Sequence, residues 1–153
     1  MQIHFTWKTK FFSREYEIYL YDQPAGKLNK QGWSRKSYGE MNGRKVAFEV
    51  KRIFKPLTDI IDLENNSVIG SIIIFPWKRK STVIYQEKEY LWKFDNFWNT
   101  RWSMEDKKGN RIKYHSRFLK GNIDSYISDE VLILSGFFLR NYFIQRSAAA
   151  ASV

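Results

Sequence analysis

The sequence predicts an all-β domain plus one helix: about twelve antiparallel strands closed into a barrel around a hydrophobic C-terminal helix. Three observations carry that prediction. Apolar and polar residues alternate in short runs, turn residues separate the runs, and one late segment is apolar on nearly every side. The expected boundaries are a single barrel domain over residues 1–147, with its central helix at about 129–146, and a short tail over 148–153.

Alternation comes first. Ile3, Phe5 and Trp7 fall on one face of an extended chain, with Gln2, His4 and Thr6 on the other. Val46, Phe48 and Val50 alternate with Lys45, Glu49 and Lys51, and Tyr90, Trp92 and Phe94 with Glu89, Lys93 and Asp95. Ile112, Tyr114 and Phe118 alternate with Lys113, His115 and Arg117. A period of two gives a strand one buried face and one wet face, as antiparallel sheets require. The run Val68–Phe75 breaks the pattern by being apolar nearly throughout, which predicts a strand covered on both faces. The many Phe, Tyr and Trp residues, 18% of the chain, suit pleated surfaces.

Turn chemistry punctuates the runs. Asn42-Gly43 is a strong two-residue hairpin signal, because both residues tolerate positive φ. Asp22 to Gly26, Glu64 to Ser67 and Lys107 to Asn110 supply further turns, so the order reads as a meander of hairpins.

The C-terminal segment differs in kind. Ser128 is placed to cap a helix, and Asp129 and Glu130 suit the positive end of its dipole. Val131 to Ile144 then covers most of a helical circumference with apolar side chains, the mark of a helix buried in protein or lipid. The uninterrupted apolar stretch ends at Arg140, short of the ~20 residues that span a bilayer. Barrels of about eight strands are filled by their own side chains, whereas cans of about eleven strands enclose a helix. Small Ser135 and Gly136 let one helix face approach the wall.

This layout resembles one superfamily: the tubby C-terminal domain, the plant LURP-one-related proteins and the phospholipid scramblases. The resemblance rests on short strands with D-x-x-x-G turns, Asp22 to Gly26, followed by the closing segment Ser128 to Ile144. It implies a twelve-stranded barrel threaded by its C-terminal helix and, from tubby, binding of phosphoinositides. The Cys-rich and Pro-rich stretches of scramblases have no counterpart in this sequence.

Chemistry narrows the function classes. The chain has no cysteine, which excludes disulfides, thiolate catalysis and Cys-ligated zinc. His4 and His115 are its only histidines, and both fall on the wet face of their strands, a poor basis for a metal site. No nucleophile elbow and no Gly-rich phosphate loop is present. The acid pairs Asp59 with Asp62 and Asp129 with Glu130 read as turn and capping residues. The expectation is therefore no enzyme, no cofactor and no metal.

What remains is charge. Lysines and arginines number 26 against 16 carboxylates, a net charge of +10 that attracts anions. Lys78, Arg79 and Lys80 follow Pro76-Trp77 at an apparent hairpin; Arg35 with Lys36, and Lys51 and Arg52 with Lys55, are further clusters. A basic tip beside an exposed Trp suits an anionic membrane interface. These residues are the candidate ligand-binding set for anionic lipid headgroups or another anionic ligand, and anionic phospholipid is the expected partner. Two rival readings are binding of single-stranded nucleic acid by stacked aromatics and a protein-interaction or structural role without a small ligand. Residues 1–12 contain no apolar signal core, so the expected location is cytoplasmic, at the membrane periphery if the basic face meets lipid.

Overall fold

The computed structural model describes residues 1–29, 35–52, 54 and 56–151, with side chains through residue 147. Twelve strands follow one another: β1 (Ile3–Lys8), β2 (Glu15–Leu20), β3 (Gln23–Asn29), β4 (Lys36–Met41), β5 (Arg44–Arg52) and β6 (Leu57–Asp62). The second half is β7 (Ser67–Phe75), β8 (Lys80–Tyr85), β9 (Lys88–Phe94), β10 (Arg101–Glu105), β11 (Arg111–Arg117) and β12 (Lys120–Ser125). Each strand pairs antiparallel with its sequence neighbours, and β1 closes the barrel on β12 in the register Ile3 with Ser125 and Lys8 with Lys120. Closure leaves no free sheet edge.

One helix, α1 (Glu130–Ala151), fills the barrel. Its cap is Asp129 rather than Ser128: the Asp129 carboxylate accepts from the backbone N–H of Val131 at 2.8 Å and of Leu132 at 3.4 Å. Such a cap contributes about 1 kcal/mol. Every residue from Val131 to Leu139 is buried, as a helix apolar all round requires. The helix also continues beyond the expected end near residue 146, through Ala148–Ala151, because alanine is the strongest helix former and nothing there stops it.

Barrel and helix interlock through aromatic rings. Phe48 stacks on Phe138 at 4.8 Å, Trp92 on Phe143 at 5.2 Å, and Trp7 meets Phe137 edge-on at 5.4 Å. Two wall side chains also bond the helix backbone. Trp92 Nε1 donates to the Gly136 carbonyl at 3.2 Å, and the Tyr114 hydroxyl donates to that of Ile133 at 2.9 Å. Gly136 permits this approach, since a β-carbon there would overlap the Tyr114 ring and hydroxyl.

Three local expectations are corrected. The first hairpin turns at Tyr21-Asp22, both at positive φ, while Pro24 and Gly26 lie within β3, where the pairing with β2 is bulged beside Tyr19. A bulge is where a strand tolerates proline, which has no N–H to give. On β11 the inward place after Tyr114 belongs to Ser116, and Phe118 sits in the following turn, exposed, with φ 57°. The outer face of β7 is not covered: Ile72 and Ile74 point inward, but Ile73 and Phe75 are exposed. With α1 inside the barrel, no described element lies over that wall. Asn42-Gly43, by contrast, forms the expected turn, with φ 51° and 82°.

Candidate functional site

The meander gives the barrel two unlike ends. The chain enters α1 at one end, beside the turns Tyr21-Asp22, Asn42-Gly43 and Gln86-Glu87. The helix leaves by the other end, the exit rim, where β1, β3, β5, β7, β9 and β11 end and β2, β4, β6, β8, β10 and β12 begin.

The three predicted basic clusters all belong to the exit rim, although they lie far apart in sequence. Arg35 precedes β4 and Lys36 opens it, Lys51 and Arg52 end β5, and Lys78 and Arg79 occupy the β7–β8 connection with Lys80 opening β8. Lys55 lies outside the described residues. Their side chains differ in freedom. Arg35, Arg52, Lys78 and Lys80 are exposed, with no carboxylate in contact among the described residues. Lys36 and Lys51 meet Glu49 on the outer wall, with Asp59 4.0 Å from Lys51, and the two lysines beside it hold the Glu49 carboxyl below its usual range. Arg79 does not extend with its neighbours. It adopts a left-handed backbone (φ 52°) after the single 3₁₀ turn Pro76–Lys78, donates its N–H to the Pro76 carbonyl at 3.3 Å, and lays its guanidinium over Phe94 at 4.6 Å. The predicted tip is thus Lys78 and Lys80 beside Trp77, which is 94% exposed.

The rim also carries what alternation alone did not reveal. Each described connection at this end presents bare aromatic rings: Phe11 and Phe12, Phe54, Trp77, Phe97 and Trp98, and Phe118. Phe11 packs edge-on against Phe12 at 4.7 Å, and Phe97 against Trp98 at 5.5 Å, so these rings cluster with each other instead of folding into the core. The signal was in the sequence: large apolar residues where the strand pattern stops and polar turn residues are the norm. The helix-entry connections carry less of it: their turns are built from Asp22, Asn42, Asn66, Glu87 and Lys108, with bare rings at Tyr21 and Tyr126. Carboxylates are sparse in the described rim connections and the residues flanking them, where only Glu15 and Asp95 occur.

Below the rim, α1 places Arg140 among aromatic rings. Its guanidinium lies over Trp102 at 4.5 Å and near Trp7 at 5.9 Å, and donates to Ser116 Oγ at 3.3 Å and the Asn99 carbonyl at 3.5 Å. No carboxylate pairs with it among the described residues. Burial lowers its pKa, partly offset by the neighbouring Tyr16.

Catalytic and metal chemistry gain no geometry here. Among the described residues no group of His, Asp and Glu is arranged to hold a metal ion. The two acid pairs have structural partners: Asp62 meets Arg44 at 3.7 Å, Asp59 faces Lys51, and Asp129 caps α1. His4 is exposed and pairs with Asp124 across the β1–β12 seam. No described helix is long and apolar enough to cross a membrane. Compared with known proteins, the chain matches no family model, no curated protein and no solved structure.

Proposed function

We propose that this chain is a non-enzymatic binding module whose exit rim docks onto anionic membrane surfaces. One observation carries the reading: at one end only, every described connection pairs exposed aromatic rings with lysine or arginine nearby, and carboxylates are scarce. Aromatic rings favour the headgroup level of a bilayer, and each nearby cation contributes about 1 kcal/mol against anionic lipid. In water the same bare rings bring no stability. Kinship with the tubby and scramblase superfamily belongs to this proposal, supported by the shared plan of a barrel closed on its own C-terminal helix. Peripheral residence at the cytoplasmic face follows from the same reading.

Vesicle sedimentation tests it. Binding to phosphatidylserine-containing vesicles should exceed binding to neutral phosphatidylcholine vesicles and weaken with salt. Exchanging Trp77 and Trp98 for Ser should lower the partition coefficient about tenfold or more, the equivalent of ~1.4 kcal/mol, while leaving Tm unchanged. Equal, negligible binding to both vesicle types at low salt overturns the proposal.

A further inference from the structure

On the outer wall just below the rim, three adjacent strands bring three cations into one row. Arg117 ends β11, Lys120 opens β12 and Lys8 ends β1; Lys120 is the direct register partner of both Arg117 and Lys8. Side chains directly opposite on one face stand about 5 Å apart at their β-carbons, and like charges so placed destabilise a sheet. None of the three has an ion-pair partner among the described residues. The nearest acid in the row, Glu17 opposite Lys8, accepts the Tyr19 hydroxyl at 2.5 Å.

The row borders a cleft of about 330 Å³. Its lining includes Thr6, Tyr19 and Asn122 with the three cations, and it contains no carboxylate. Lys8 Nζ stands 5.0 Å from the centre of the Tyr19 ring, which steers that ammonium along the lining. Gly121 lets the floor close up. It is the register partner of Trp7, and a β-carbon there would overlap the His115 carbonyl, to which Trp7 Nε1 donates at 3.1 Å.

We infer that this cleft, between Lys8, Lys120 and Arg117, is a binding site for a compact dianionic oxyanion of the phosphate-monoester type. The arginine supplies a planar fork suited to two oxygens, the lysines supply point charges, and Thr6 and Asn122 add neutral donors. A dianion cancels the mutual repulsion of the row, so the ligand stabilises the fold as it binds. The site shares Arg117 and Lys120 with the β11–β12 connection of the rim, but it opens on the wall and needs no bilayer, so a soluble ligand tests it separately from the reading of the rim. The same group could arrive on a free metabolite or on a lipid headgroup.

NMR titration of the intact chain tests the inference. Glycerol 3-phosphate should saturate shifts around Thr6, Lys8, Arg117 and Asn122 at concentrations on the order of millimolar, whereas the diester glycerophosphocholine should not. Lys120→Gln should weaken that binding about tenfold or more while holding or raising Tm, because it removes a like-charge contact. A preference for phosphatidic acid vesicles over phosphatidylserine vesicles of equal charge, lost in K120Q, would assign the site to a headgroup. Monoester binding without that preference would assign it to a soluble ligand. Absence of saturable monoester binding to the wild-type chain, or undiminished binding by K120Q, overturns the inference, whatever the vesicles show.

Discussion

The Tyr114 hydroxyl occupies the space where a side chain at position 136 would begin, and from there it bonds the Ile133 carbonyl at 2.9 Å. Wall and plug are therefore fitted at this point to the size of a hydrogen atom. Gly136→Ala should destabilise the fold by about 1–3 kcal/mol through overpacking, less about 1 kcal/mol regained from helix propensity. Tyr114→Phe removes the hydrogen bond and costs about 1 kcal/mol. In the double variant the alanine should cost less than it does alone, since the hydroxyl it meets is gone. Urea unfolding of the four proteins measures that coupling; strict additivity would place Tyr114 and Gly136 out of contact.

Arg140 is held by ring faces, by Ser116 and the Asn99 carbonyl, and by the neighbouring Tyr16 hydroxyl, with no carboxylate paired to it among the described residues. Its contribution should come from stacking more than from charge. Arg140→Met keeps the unbranched bulk and sheds the desolvated charge, so its stability should stay within about 1 kcal/mol of the parent. Arg140→Lys should be the worse variant by about 1–2 kcal/mol, since an ammonium cannot lie flat on Trp102 and gives up more hydration. Thermal melts that rank lysine above methionine would contradict this account.

Alkali should unfold the protein in a definite window. Burial, aided by the nearby Asp129, pushes the Tyr85 phenol up to about 12 from its ordinary 10.0, and burial also raises Tyr114 well above its ordinary value. Tyr16 is raised too, with Arg140 working against the shift. Above pH 10 the unfolded chain loses these protons while the folded chain keeps them, so stability falls as pH rises. The contribution is complete below pH 10 and is lost as pH climbs through about 12. The tyrosinate absorbance of Tyr85 and Tyr114 should therefore appear together with loss of circular dichroism. Ionisation of Tyr85 and Tyr114 at pH 10 with circular dichroism intact would contradict the packing.

Much of this architecture was legible because its signals are local. Period two in Val46 to Val50 and Tyr90 to Phe94 set the wall, and the all-round apolarity of Val131 to Leu139 set the plug. The outer face of β7 was not legible. A run such as Val68–Phe75 has the same composition whether its second face is covered or bare, and only the position of other elements separates the two cases. The charged row escaped for a different reason. Lys8 and Lys120 lie at opposite ends of the chain, and only barrel closure makes them neighbours. The rim clusters were found singly, whereas their convergence depends on strand order.

Phe118 joins strain to exposure at the exit rim. Its φ of 57° is a conformation that costs a bulky residue about 1–2 kcal/mol, and its ring is 79% exposed. Asparagine tolerates that backbone far better, so Phe118→Asn should stabilise the fold by about 1 kcal/mol, a rise in Tm of about 3 °C. If the ring is there to enter a bilayer interface, the same substitution should weaken partition onto phosphatidylserine-containing vesicles severalfold. Stability and binding would then move in opposite directions, as expected where a site is maintained at the expense of the fold. A more stable variant that bound vesicles as well as the parent would remove Phe118 from the docking surface, and a variant no more stable than the parent would mean that the turn carries no strain.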